Sequence, residues 1–330
     1  MNGVKILGMG SYVPGRIVTN EDFTKIVDTS DEWITTRTGM RERHFSQGEP
    51  TWYMASQASK AAIDQAGISP EEIGMIIISC VTADYLFPSM SCMVQRETGA
   101  VNAMTMDVNC ACSGFVYSID MAKHYLASGE VKYALVVGAE NLTKLVDFSD
   151  RSSCILFGDG ASACVLKASD SFYSSFLGAD GTGAKHMISR LDLPTNAFID
   201  ENRKHIDDML PETKGHYMYM DGKEVYKFAI KALPDAVKKA LEKTELSPED
   251  IDVYIPHQAN IRIIETAAKN LGVSMDKFVV NIDRFGNTSS ASIPLALDEA
   301  VSQGRVKRGD RICLVGFGAG LTYGAVIMDY

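Results

Sequence analysis

The chain has 330 residues, 46% of them apolar and 22% charged, with a formal net charge of −10. That length exceeds one ordinary hydrophobic core and calls for two domains or two halves. The acidic balance argues against a nucleic-acid partner, and the lack of any apolar run of about 18 residues argues against a membrane span.

The opening residues MNGVKILGMGSYVPG have no charged start, sustained apolar core or cleavage site of a signal peptide. They read as a first strand and a turn. Seven cysteines, an odd number scattered among apolar residues, fit a reducing cytoplasm rather than a disulfide framework. Ala55–Gly67 has the spacing of an amphipathic helix closed by its glycine. Ser69-Pro70-Glu71-Glu72 starts a helical turn with proline in first position. Met75–Cys80 is a continuous apolar run of buried-strand length. Met104, Met106 and Val108 alternate with Thr105 and Asp107 as in a short strand, and Phe115, Ile119, Ala122 and Leu126 recur at helical spacing. The helix is expected to begin near Ser113, which leaves Cys112 on a strand-to-helix turn at the positive end of a helix dipole. That placement favours the thiolate, the nucleophilic form. The competing reading is an inert buried thiol. Cys110-Ala111-Cys112 has no second Cys or His pair nearby, so no zinc site is expected. Tyr133–Gly138 is another buried strand, and a glycine-rich turn from Phe157 leads into a strand at Cys164–Leu166. Asp159, between two glycines, reads as a turn residue.

The second half repeats this order. Ser247-Pro248-Glu249-Asp250-Ile251 echoes Ser69-Pro70-Glu71-Glu72-Ile73, and each leads into an apolar strand. Leu314-Val315-Gly316 matches Val136-Val137-Gly138 at the same offset of 178 (247 − 69 and 314 − 136), and Val280-Asn281 answers Val108-Asn109. Three landmarks in order indicate a duplicated α/β unit, with halves at 1–168 and 218–330 and a variable connection at 169–217. Equivalent loops of two such halves meet near a pseudo-twofold axis. The pairing sets Ser79 against His257 and the Cys112 loop against Gly286–Ser290, which draws Cys112, His257 and Asn287 toward one site. His257 ends an apolar strand, where reactive side chains collect in α/β sheets. Taken singly, it would be a structural histidine and Asn287 a helix cap.

Cys, His and Asn in that order also fit a papain-like hydrolase, at a Cys-to-His span of 145 residues (257 − 112). The sequence around Cys112 lacks the C-G-S-C-W flank, and a duplicated α/β unit is a different fold. Gly316-Phe317-Gly318-Ala319-Gly320 lacks dinucleotide-loop spacing and stands too near the C-terminus for a following strand–helix–acid unit.

A more specific match comes from DTSDEWITTRTGMRERH (28–44), FPS (87–89), ACSGF (111–115), DRSSCILFGDGA (150–161), MDGKEV (220–225), PHQANIRII (256–264), FGNTSSASIP (285–294) and GFGAGLTYG (316–324). Together these stretches resemble the beta-ketoacyl-acyl-carrier-protein synthase III family of the thiolase superfamily over nearly the whole chain. Region 183–217 resembles it least. The resemblance implies an α/β thiolase-like fold, internally duplicated and layered αβαβα. It implies a chain-starting decarboxylative condensation of acyl-CoA with malonyl-acyl carrier protein in type II fatty acid synthesis, without cofactor or metal. Cys112 would carry the acyl group, and His257 and Asn287 would stabilise the enolate left by loss of CO₂. The backbone N–H groups of Cys112 and Ala319 would hold the second oxyanion. Trp33, Arg37, Arg151 and Asn260 match positions that hold CoA. Phe87 matches a residue closing the neighbouring subunit's acyl pocket, which implies a homodimer. Arg262 matches a carrier-docking residue, with Lys227 and Lys269 as neighbours. The other activities to weigh are a CoA-only condensing enzyme of the HMG-CoA synthase or chalcone synthase type and a scaffold that merely binds acyl-CoA. A thiolase is disfavoured, because the C-terminal loop has no second cysteine.

Overall fold

The computed structural model describes residues 3–190 and 217–330. In chain order the main elements are β1 (Gly3–Tyr12), α1 (Asp31–Thr38), α2 (Thr51–Ala66), β2 (Ile73–Ser79), α3 (Met90–Thr98), β3 (Met104–Val108), α4 (Gly114–Ser128), β4 (Tyr133–Asn141), β5 (Asp159–Ser169) and β6 (Tyr173–Ala179). There follow α5 (Gly222–Leu241), β7 (Val253–Pro256), α6 (Ile261–Leu271), α7 (Ser292–Ser302), β8 (Arg311–Gly318) and β9 (Thr322–Asp329).

One sheet has the order β1-β5-β4-β2-β3 and the other β7-β8-β9-β6. In the first, β1, β5 and β4 are antiparallel neighbours, while β4, β2 and β3 run parallel. The second repeats the scheme, with β6, β9 and β8 antiparallel and β8 and β7 parallel. A single parallel bridge from Phe278 to Tyr254 stands where β3 stands in the first sheet.

Alternation along β2 explains the layering. Met75 and Ile77 join a central cluster, and Ile76 and Ile78 an outer one. A parallel strand covered on both faces has to read as an unbroken apolar run. The central cluster also takes Phe115 and Ile119 of α4, Ile293 and Leu297 of α7, and Ile255 and Leu314 of the second sheet, so two helices lie between the sheets. Helices α2 and α3 cover the outer face of the first sheet, and α5 and α6 that of the second. Five layers result, αβαβα. Each large aliphatic side chain buried this way contributes roughly 1.5–3 kcal/mol.

The duplication extends to the backbone. Pro70–Glu72 and Pro248–Asp250 are both 3₁₀ turns with capping boxes, on Ser69 and Ser247. The turns Ala111–Ser113 and Ser289–Ala291 share the 178 offset (289 − 111), as do the helices that follow them. Among the described residues, the non-glycine positions at positive φ are Ala111 (44°) and Ser289 (48°), equivalent positions in the two turns. Between Val280 and Ser289 the second half is longer than between Val108 and Ala111, and the added segment holds Asn287.

One boundary differs from the sequence reading. Tyr173–Ala179, inside the stretch read as a connection, pairs along β9 and takes the place in the second sheet that β1 has in the first. It is a half-exposed edge strand, so its sequence lacks the apolar run that marks the others. Most of region 183–217 lies outside the described residues.

Candidate active site

Cys112 sits on the turn between β3 and α4. Thr322 clamps this turn to the second half: its Oγ1 donates to Cys110 O at 2.9 Å and accepts from Ser113 Oγ at 2.8 Å. Strand β8 approaches closely. A Cβ on Gly318 would lie 2.6 Å from the Cys112 nitrogen, and one on Gly316 would lie 3.4 Å from its carbonyl oxygen. The glycines at 316 and 318 therefore serve close backbone contact. Ala319 follows in the turn to β9, and its carbonyl accepts from Thr322 Oγ1 at 3.1 Å.

His257 reaches the same place from β7. Pro256 is in register with Val315, and the His257 N–H donates to Val315 O at 2.8 Å. Its ring stands edge-on to Phe317 with centroids 5.3 Å apart, and Nδ1 lies 2.6 Å from Ser292 Oγ at the start of α7. Asn287 arrives on the longer loop of the second half. Its backbone bonds Leu156 O at 2.9 Å and the Gly158 N–H at 3.0 Å. Its Oδ1 accepts from the Ser289 N–H at 2.8 Å, which fixes the amide so that Nδ2 is the end left for a ligand. Ser289 opens the turn that packs against the Cys112 turn. Cys112 is thus bordered by His257 through β8 and by Asn287 through Ser289.

Beneath the Asn287 loop lies a feature the sequence reading passes over. Arg43 is fully buried, donating through Nε to Ile155 O at 2.8 Å and through Nη1 to Asn20 Oδ1 at 2.6 Å. Its Cγ lies 2.8 Å from where a Gly286 Cβ would stand, and Gly286 has φ of 61°, so glycine is required there twice over. Glu140, at the end of β4, was also passed over and is fully buried. Its equivalent in the second half is Gly318 (318 − 140 = 178), the residue that faces Cys112, and that offset is the signal that finds it.

Burial decides the electrostatics. It pushes the Cys112 thiol up to about 12, against the opposing effect of the Ser289 side chain and with a smaller push from Glu140. This corrects the thiolate expectation. A helix end supplies about half a charge, but a residue only 4% exposed has lost the water that stabilises an anion. Burial likewise holds His257 down at about 3, so its imidazole is neutral.

Outside this centre, Trp33 is flanked by two guanidiniums. Arg151 Cζ is 4.7 Å and Arg37 Cζ 5.8 Å from its ring centroid. Asn260 caps α6, accepting from the Arg262 N–H at 2.9 Å and donating to Arg37 O at 3.1 Å. Arg262 Nη2 donates to Thr36 O at 2.9 Å. These bonds stitch the end of α1 to the start of α6 and put Arg37 and Arg262 on one rim. The Asn260 amide thus spends one N–H and one lone pair on backbone and keeps a second of each. Lys227 pairs with Glu224 at 2.6 Å. Phe87 is 85% exposed beside Leu86 at 82%. Among the described residues no His/Cys/Asp/Glu group could hold a metal, and no helix is long and apolar enough to cross a membrane.

Comparison with known proteins places the chain in a family. Two family models match, 3-oxoacyl-[acyl-carrier-protein] synthase III over residues 106–181 and its C-terminal counterpart over 241–330. The beta-ketoacyl-[acyl-carrier-protein] synthase III of Clostridium acetobutylicum is 48% identical, with 100% of this chain and 99% of that protein covered. The crystal structure of 3-oxoacyl-[acyl-carrier-protein] synthase III from Aquifex aeolicus superposes with a TM-score of 0.89 at 42% identity, covering 99% of this chain and 100% of that one. The priming beta-ketosynthase of the R1128 polyketide pathway is 36% identical with a TM-score of 0.87, over 99% of this chain and 96% of its own. Fold, turn geometry and full-length likeness agree: the chain belongs to the 3-oxoacyl-[acyl-carrier-protein] synthase III family, condensing acyltransferases of the thiolase-like fold.

Proposed function

We propose that Cys112 takes an acyl group from acyl-CoA and that His257 and Asn287 then drive its condensation with malonyl-acyl carrier protein. The product is the 3-oxoacyl-acyl carrier protein that begins fatty acid synthesis. The observation that carries this reading is a buried cysteine bordered by two side chains that donate without charge. Cys112 Sγ attacks the thioester carbonyl and CoA leaves as the thiol. Malonyl-carrier protein then binds and loses CO₂, and the electron pair of the broken C–C bond forms an enolate. In the tautomer in which Nδ1 accepts from the Ser292 hydroxyl, 2.6 Å away, the His257 proton is on Nε2, and the Asn287 amide offers Nδ2 as a second donor. Two preorganised donors in a dry site suit a developing oxyanion. The enolate carbon attacks the acyl-Cys112 carbonyl, whose oxygen rests on the backbone N–H groups of Cys112 and Ala319. The tetrahedral intermediate collapses and releases the cysteine. No step calls for a metal or cofactor.

Trp33 offers a face for adenine, with Arg37 and Arg151 for phosphates. Arg262 at the rim supports docking of the acidic carrier protein, with Lys227 and Lys269 nearby. The exposed Leu86 and Phe87 and the edge strand β3 support a homodimer in which Phe87 closes the partner's acyl pocket. All seven cysteines are free, in keeping with a cytoplasmic enzyme. The test is mass spectrometry after mixing with acetyl-, isobutyryl- or octanoyl-CoA. The wild type gains one acyl mass on Cys112, which malonyl-carrier protein discharges as 3-oxoacyl product, and Cys112→Ser gains none. An adduct on the serine variant or on another cysteine overturns the assignment. Discharge by malonyl-CoA alone would indicate a CoA-only enzyme.

A further inference from the structure

We infer that Thr322 is a positioning residue for the acyl oxyanion: its hydroxyl sets the backbone N–H groups of Cys112 and Ala319 in one frame, without touching substrate. This rests on the reading of those two N–H groups as donors to the thioester oxygen. Thr322 opens β9 directly across from Gly318, the last residue of β8, and residues 319–321 form the turn between them. Its side chain reaches back over that turn. Oγ1 lies 3.1 Å from Ala319 O within the turn, and 2.9 Å from Cys110 O and 2.8 Å from Ser113 Oγ in the first half. Cys110 and Ser113 bracket the pair Ala111-Cys112, and Ser113 Oγ also lies 2.8 Å from Cys110 O. Ser113 can therefore serve Cys110 O, which frees the Thr322 proton for Ala319 O. Among the described residues no backbone hydrogen bond joins the Cys112 turn to the Ala319 turn, so the Thr322 hydroxyl is the polar link between the two donors.

The duplication separates this link from ordinary turn building. At the offset of 178, Thr322 answers Lys144 and Ser113 answers Ala291. Lys144 reaches away to Thr51, Thr82 and Asp84, and Ala291 has no hydroxyl to offer. Yet Ser289 has φ of 48°, close to the 44° of Ala111, so the same turn forms without such a clamp. The Ser289 turn is held by the Glu140 carboxylate, through Ser289 Oγ at 3.1 Å and Ser290 Oγ at 2.9 Å. The equivalent of Glu140 beside Cys112 is Gly318, where even a Cβ would stand 2.6 Å from the Cys112 nitrogen. A carboxylate there would also oppose a developing oxyanion. A hydroxyl reaching over from Thr322 holds the turn with no charge and no crowding.

The experiment compares two reactions of Cys112, read by mass spectrometry, with a thermal melt of each variant. Acylation, by whichever of acetyl-, isobutyryl- or octanoyl-CoA labels the wild type best, puts negative charge on the carbonyl oxygen. Alkylation by iodoacetamide displaces iodide at a saturated carbon and puts none there. Thr322→Val keeps the methyl group beside Gly320 and leaves Ser113 bonded to Cys110 O, so the Cys112 turn stays formed. Its acylation falls about a hundredfold, the cost of a small misplacement of reacting groups, while alkylation stays within about threefold of wild type. Thr322→Ser returns most of the acylation rate. Acylation at the wild-type rate in Thr322→Val, equal loss of both reactions, or no recovery in Thr322→Ser overturns the inference. Gly318→Ala displaces the same two segments by contact and lowers the ratio of acylation to alkylation as well. A wild-type ratio in Gly318→Ala overturns the donor reading itself, whatever Thr322→Val shows.

Discussion

Asn287→Asp isolates the enolate step. The aspartate keeps the oxygen that accepts from the Ser289 N–H at 2.8 Å, so the loop stays in place, but it puts a second carboxylate oxygen where Nδ2 stood. Losing one preorganised donor costs about 3–4 kcal/mol, a hundred- to thousandfold in rate. The new oxygen also faces the enolate with like charge in a site only 7% exposed, so the loss should reach the upper end, about a thousandfold. The assay is labelled CO₂ release from malonyl-carrier protein, alongside acylation of Cys112 by acyl-CoA, which should stay within about threefold of wild type because acylation does not use this amide. Decarboxylation at the wild-type rate refutes the donor role. Loss of both half-reactions together would mean that the substitution displaced Ser289 and with it Cys112.

Gly318→Ala sets a methyl group 2.6 Å from the Cys112 nitrogen and 3.0 Å from the Ala111 Cβ, so the turn has to shift; chemical denaturation should show a loss of about 1–3 kcal/mol, and an unchanged midpoint contradicts the packing. Burial holds His257 at about 3, below its unfolded value of about 6.5, so the stabilising difference is complete above pH 6.5 and is lost as pH falls toward 3. Denaturation of wild type and His257→Asn at pH 7, 6, 5 and 4 should therefore show the wild type losing ground by up to about 1.4 kcal/mol per pH unit, and a constant gap would argue against a buried neutral imidazole. Arg262→Glu should raise the KM for malonyl-carrier protein about tenfold at low salt and less at high salt, with that for acyl-CoA nearly unchanged; equal damage to both substrates would place the defect in the α1–α6 stitch.

Much of this was legible because duplication leaves a numerical trace. The shared offset located the equivalence of Ser79 with His257 and of the Cys112 turn with the Ser289 turn before any coordinates. Apolar runs such as Met75–Cys80 and Tyr133–Gly138 marked strands covered on both faces, since burial on two sides leaves no room for alternation. Edge strand β6 was missed for the converse reason. Glu140 escaped because a glutamate just past an apolar run ordinarily reaches solvent. Only the meeting of two halves from distant sequence surrounds it with hydroxyls. The Cys112 ionisation was misjudged because chain position reports the helix end but not the loss of water.

The two central helices have one more effect. The turns at Ala111–Ser113 and Ser289–Ala291 abut, so α4 and α7 open toward the same point with their N-terminal ends. Each end contributes a positive potential of about half an elementary charge. Together they offset the buried Glu140 carboxylate that the second turn holds, and the layers around the junction shield the pair of helix ends from dissolved ions. Along the reaction, negative charge moves from a solvated malonyl carboxylate onto oxygens at that junction, while the carboxylate carbon leaves as uncharged CO₂. The same field therefore favours both the enolate and the tetrahedral oxyanion and has no hold on the gas. Duplication doubles the field at the junction and adds no second nucleophile, because the equivalent of Cys112 in the other half is Ser290, already bonded to Glu140.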